Sequence, residues 1–203
     1  MGLTGANCII SDIEVSKAEN EMREESIERI AGETSYIDDC PQGDLPNIQV
    51  NGWRKSTTKG VPISDGMKLR FRSFGLPGAR LVWHCPSFVI FYSDDGTVKG
   101  DNYRELGLIR MDGESREVGG NIENNIEVTM TDKFKGWEAW KEESKKGIDV
   151  EVTVRKRGND IVLTTENLGL SIKNTTTVNI YFPMIYIAIS GDQCAVTDIR
   201  VRR

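Results

Sequence analysis

Aromatic and charged residues stand side by side at two places in this chain, Trp53-Arg54 and Tyr103-Arg104-Glu105. That pairing suits one kind of chemistry. An aromatic face stacks on the apolar face of a sugar ring, and planar polar groups read the hydroxyls around it. Both runs flank turns where loops meet a sheet, so Trp53, Arg54, Tyr103, Arg104 and Glu105 form the candidate ligand-binding set. Each also has a plainer reading as a plug of a sandwich or a partner in a surface ion pair. No residue is assigned a catalytic role.

A second cluster, Asp94, Asp95, Asp101 and Asn102, lies close enough in sequence to share one loop and to offer oxygen ligands to calcium. It departs from the Asp-x-Asp-x-Asp-Gly pattern, and solvated turn acids are its alternative reading; no other cofactor is implied. His84 is the only histidine, so a histidine metal site needs carboxylates or thiols that no local spacing supplies. His84 and Cys85 are adjacent, and neighbours on a strand point to opposite faces, which excludes a thiol and base pair unless the strand breaks. Trp137 and Trp140 are spaced as a helix docked on a sheet requires, so core packing is expected of them.

Composition narrows the partners. The chain has 203 residues, 38% of them apolar, enough to bury a core. It carries 26 basic and 31 acidic residues, a net charge of -5, with no lysine and arginine run long enough to track a phosphate backbone, so nucleic acid is not expected. No stretch approaches the roughly 18 consecutive apolar residues of a membrane span, and the start does not read as a signal segment. Cys8, Cys40, Cys85 and Cys194 are too scattered for a disulfide scaffold and read as buried thiols, which favours the cytoplasm.

The elements that must position these residues are mostly strands. Gly5, Cys8, Asp12, Ile13 and Val15 match Gly191, Cys194, Asp198, Ile199 and Val201 at one constant offset. In both copies the apolar positions change parity midway, which predicts a bulge near Ser11 and Thr197. A repeat separated by nearly the whole domain suggests a serial array, with 1–35 contributing the end strand of a preceding unit and a linker helix over Ser16 to Ala31, and 36–203 forming the main domain. Lys68 to Phe74 alternates as a half-buried strand. Leu81 to Trp83 and Phe88 to Tyr92 read as central strands separated by Pro86. Glu105 to Met111 follows the Asp94-Asp95-Gly96 turn; Ile148 to Arg155 and Asp160 to Thr165 flank a hairpin at Gly158-Asn159, and Ile180 to Ile189 leads into the last strand. A helix capped by Thr131 or Asp132 runs to Gly147.

From about Ile48 onward the chain resembles the concanavalin A-like or laminin G-like jelly rolls of bacteria. Three pieces carry the resemblance: Phe88 to Ser93 before an Asp-Gly turn, Val150 to Asn159 with the strand after it, and Cys194 to Val201. Leu81 to Pro86 with Phe91 to Gly96 also looks like an accessory domain of bacterial signalling proteins. The resemblance implies a fold and leaves function open, since lectins, glycosidases and adhesion modules share it. Retaining glycosidases of this kind resemble one another in an acidic strand, Glu-x-Asp-x-x-Glu, that has no counterpart here.

The sequence therefore predicts a mostly β, two-sheet antiparallel jelly-roll sandwich with one or two short helices. Its expected function is non-catalytic ligand binding, carbohydrate first, as a module of a larger bacterial protein. The alternatives are a structural or regulatory interaction domain and a glycoside hydrolase-like enzyme. Expected partners are a glycan and either neighbouring domains of the same protein or further copies of the chain.

Overall fold

Strand alternation sets the architecture. In β3 (Met67–Gly75), Met67, Leu69 and Phe71 are buried while Arg70 and Arg72 are open to solvent, the period of two expected of a sheet with one wet face. The computed structural model describes residues 34–116 and 119–203. The strand read over Gly2 to Val15, the helix over Ser16 to Ala31 and Cys8 lie outside the described residues.

The other strands are β1 (Ile48–Val50), β2 (Val61–Pro62), β4 (Pro86–Tyr92), β5 (Arg104–Arg110), β6 (Ser115–Arg116), β7 (Ile122–Met130), β8 (Ile148–Arg157), β9 (Asp160–Asn167), β10 (Leu170–Val178), β11 (Tyr186–Gly191) and β12 (Cys194–Arg202). They form a seven-stranded sheet ordered β1-β12-β3-β8-β9-β10-β7 and a five-stranded sheet ordered β2-β11-β4-β5-β6. Phe71, Val152, Leu163 and Ile172 from the first sheet share one core with Phe88, Ile90, Ile109 and Ile187 from the second. The domain is a two-sheet antiparallel β-sandwich, as its alternation predicts. A second apolar cluster, Val89, Phe91, Leu108 and Ala188, sits on the outer face of the five-stranded sheet.

Turn chemistry fixes the register of the central hairpins. Arg157 pairs with Asp160 across Gly158 and Asn159, with Gly158 at φ 58°. Asn167 pairs with Leu170 across Leu168 and Gly169, both left-handed at φ 49° and 84°, as a two-residue hairpin turn requires. A Cβ on Gly169 would also collide with the backbone of Lys133 and Phe134.

The expected bulge at Thr197 is present. The β12–β3 register shifts between Thr197 and Arg200, and Asp198 adopts φ 50°. Before the shift Val196 faces the core; after it Ile199 and Val201 do, so Arg200 and Arg202 turn outward. The ladder groups freed by the bulge are taken up by the segment before β1. The Asp198 N–H donates to Pro41 O and to Asn47 Oδ1, and Ile199 O accepts from the N–H groups of Asp44 and Leu45. Gly43 lies so close to Ile199 that a side chain there would meet its backbone.

Three expectations are corrected. Leu81 to Trp83 is a loop, with Leu81 and Trp83 exposed, because the apolar run has no strand partner; Pro86, next to it, begins β4 instead of breaking a ladder, a position where a missing N–H is tolerated. The chain over 180–185 is also irregular, and the strand starts at Tyr186. The helix α1 (Trp137–Lys146) begins after Gly136, which has φ 96° and offers no side-chain cap. Thr131 does not cap it, because its hydroxyl and its N–H both donate to Gly169 O. Trp140 alone is buried in α1, donating from Nε1 to Asn167 Oδ1 at 2.7 Å; Trp137 packs edge-on against it and stays partly exposed. Among the described residues no helix is long and apolar enough to cross a membrane.

Candidate ligand-binding surface

The loop between β1 and β2 passes along the edge of β11, where the Arg54 N–H donates to Gly191 O and the Thr58 N–H to Ile189 O. Arg54 adopts φ 52°, a conformation that non-glycine residues rarely take and that surrounding contacts must hold. Its guanidinium supplies them. Arg54 Nη2 lies 2.7 Å from Glu105 Oε2 and 3.3 Å from the Tyr103 hydroxyl, and that hydroxyl donates to Glu105 Oε2 at 2.9 Å. Phe91 lies beneath Tyr103, ring centroids 5.6 Å apart, in the outer apolar cluster. Trp53, the next residue in the chain, is 47% exposed.

Burial and pairing set the charge state of this group. Burial alone lowers the Arg54 pKa, but the hydrogen bond and charge of Glu105, joined by Tyr103, raise it above the ordinary value. Burial first, then the charge and hydrogen bond of Glu105, pushes the Tyr103 phenol up to about 12, against the opposing pull of Arg54. At neutral pH Arg54 is a guanidinium and Tyr103 a neutral phenol, both held in fixed relation to the Glu105 side chain. Such an arrangement can present donors and acceptors to a polar ligand without reorganising.

Arg104 does not join them. It pairs with Tyr92 while Glu105 pairs with Phe91, so its side chain leaves the opposite face of β5 and sits 5.6 Å over the ring of Phe182. Phe182 stacks on Tyr92 with centroids 4.9 Å apart. This second group, at the end of the sandwich, was not foreseen. The one available signal was Pro183, which argues against a strand through Phe182.

The proposed calcium loop belongs to that end. Asp94 accepts hydrogen bonds from the Tyr92 hydroxyl and from Asn102 Nδ2, which hold its carboxyl below the usual range. Asp95 accepts from Thr97 Oγ1 at 2.7 Å and the Thr97 N–H at 2.9 Å, also lowering its pKa. Asp101 contributes its backbone carbonyl, bonded by the Asp94 N–H at 3.0 Å. The acids brace the loop, and among the described residues no group of three or more His, Cys, Asp or Glu side chains is placed to hold a metal ion.

His84 and Cys85 lie in the loop before β4, so strand geometry does not separate them. Other contacts do. His84 Nδ1 accepts the Arg80 N–H at 3.0 Å, whereas Cys85 is buried. Burial first, then the nearby Asp112 charge, raises its thiol well above the ordinary value. A protonated, buried thiol is a poor nucleophile. Cys194 is buried too, and burial pushes it up to about 12; Cys40 is partly exposed, unlike the buried thiol expected of it.

These features define a β-sandwich with aromatic and ion-paired groups on one outer face. No protein-family model matches the chain, and no curated protein matches it. Among solved structures it is similar to a carbohydrate binding module, CBM66 from Bacillus subtilis. That match has 8% identity and a TM-score of 0.32, covering 80% of this chain and 99% of that one.

Proposed function

We propose that this domain is a non-catalytic ligand-binding module for carbohydrate, of the concanavalin A-like or laminin G-like kind, within a larger bacterial protein. The observation that carries the reading is the half-exposed Trp53 indole, one residue from a guanidinium fixed by Glu105 and Tyr103. An exposed indole gives a sugar ring an apolar face, and the ordered triad supplies the polar contacts that select orientation. Mechanistically this is stacking with hydrogen bonding and no covalent step. A glycan array, followed by titration of intrinsic tryptophan fluorescence with any hit, tests it. Binding should be lost in Trp53→Ala and kept in Trp137→Phe; binding to no glycan, or binding unchanged in Trp53→Ala, overturns the reading.

A second reading, an interaction domain with no small ligand, is favoured by a different observation. Tyr181 is 85% exposed, beside the exposed Ile180 and Met184, an apolar ridge of the kind that partners cover. Hydrolysis has the least support: Asp94 and Asp95 are taken up by hydrogen bonds that brace their loop, and Glu151 by Lys68 and Arg70.

A further inference from the structure

The bulge in β12 has a chemical result on the solvent face of its own seven-stranded sheet. By turning Arg200 and Arg202 outward it sets them directly across the β3 ladder from Arg70 and Lys68. Like charges directly opposite on adjacent strands destabilise a sheet, and here two such pairs follow one another, extended along β3 by Arg72. All of these cations lie on the solvent side, with Arg70, Arg72 and Arg200 about half exposed. Glu151, Asp149 and Asp198 offset part of this repulsion, but Lys68, Arg70, Arg72, Arg200 and Arg202 outnumber them, so the face keeps an excess of positive charge in a chain whose net charge is -5.

Carboxylates are interleaved with the cations. Glu151 pairs with Lys68 at 2.8 Å and with Arg70, Asp149 with Arg72 at 3.5 Å, and Asp198 with Arg200 at 2.9 Å. Arg70, Arg72, Asp149, Glu151, Asp198 and Arg200 line a shallow groove of about 480 Å³. Successive cations on β3 are about 7 Å apart and the two strands about 5 Å apart, so the groove offers a repeating grid of positive charge. The interleaved carboxylates weaken the pull on any polyanion, and they favour one that also carries hydroxyl donors for them to accept. A chain bearing both carboxylates and hydroxyls meets complementary groups throughout: guanidinium forks for its carboxylates, and Glu151 and Asp149 as acceptors for its hydroxyls.

We infer that this face binds an acidic polysaccharide, a chain of uronate units laid along the β3–β12 ladder. Trp53 is not among the residues that line this groove, and Arg54 beside it is bonded to Glu105 of the five-stranded sheet, so either reading can fail alone. The test is affinity electrophoresis of the full chain in gels containing polygalacturonate, with neutral dextran and single-stranded DNA as comparison polymers. Retardation by polygalacturonate at low salt is expected, fading as salt screens the grid. The Arg200→Gln/Arg202→Gln variant should bind about tenfold more weakly, while Trp53→Ala should bind as the parent does. Urea unfolding checks that the variant is folded, and Arg70→Gln, on the other strand, should show a loss in the same direction. Migration unaffected by polygalacturonate, undiminished binding in both variants, or equal retardation by DNA would each overturn the inference.

Discussion

Arg54 and Glu105, separated by much of the first half of the chain, meet at 2.7 Å with both side chains largely buried. The Tyr103 hydroxyl completes the contact on both sides. Removing one member leaves the other desolvated and unpaired, so Glu105→Ala should destabilise the fold by about 3 kcal/mol, the lower end of the range for breaking a buried pair from one side. Urea unfolding of the variant measures this. A loss below about 0.5 kcal/mol would mean that water already screens the pair.

Tyr103 makes the same cluster sensitive to alkali. Its phenol is held at about 12 in the folded protein, against about 10 when unfolded. The folded state favours the protonated form, so its contribution is intact below about pH 10 and is lost as the pH rises towards 12. Urea midpoints should fall across that window, and Tyr103→Phe should fall less. Parallel curves for the two proteins would assign the loss to other groups.

The helix is anchored by one hydrogen bond, from Trp140 Nε1 to Asn167 Oδ1. Trp140→Phe keeps most of the apolar volume but strips the buried amide of its donor, at a cost of about 1–3 kcal/mol. Asn167→Leu in that background removes the orphaned Oδ1 and should recover part of the loss, less the bond that Asn167 Nδ2 gives to Met111 O at 3.5 Å. Thermal unfolding of the single and double variants checks this, and a further loss in the double variant would contradict it.

Thiol reactivity should follow burial. Cys85 and Cys194 are enclosed, with pKa values raised by burial, and Cys40 is partly open. Brief alkylation of the native protein, read by peptide mass spectrometry, should label Cys40 and spare Cys85 and Cys194 until denaturant is added. Native labelling of Cys194 at the rate of Cys40 would mean that β12 opens locally.

What could be read from the sequence follows the range of the interactions involved. The alternation of Lys68 to Phe74, the Gly158-Asn159 turn and the parity switch at Thr197 are local signals, and each appears in the structure where its residues placed it. Leu81 to Trp83 has local strand character but no neighbour to pair with, and pairing is decided by the whole fold. The candidate site shows the same division. The separation of Arg104 from Tyr103 and Glu105 follows from strand geometry alone. That Arg54 closes on Glu105, or that Phe182 stacks on Tyr92, depends on contacts between distant segments, which no short-range pattern encodes.

The bulge at Asp198 shifts the reading frame of a strand by one place. Substitution there should be tolerated by residues that accept a left-handed backbone, with Asn and Gly foremost. Deletion of that one residue makes the β12–β3 ladder continuous and leaves Ile199 and Val201 on the core face; what it removes is the Asp198 N–H that bonds Pro41 O and Asn47 Oδ1. A second inserted residue is the change that would drive Arg200 and Arg202 into the core and expel Val201. The extra residue in β12 is therefore a hook for the segment before β1, and the count of residues matters to the strand only in the direction of gain.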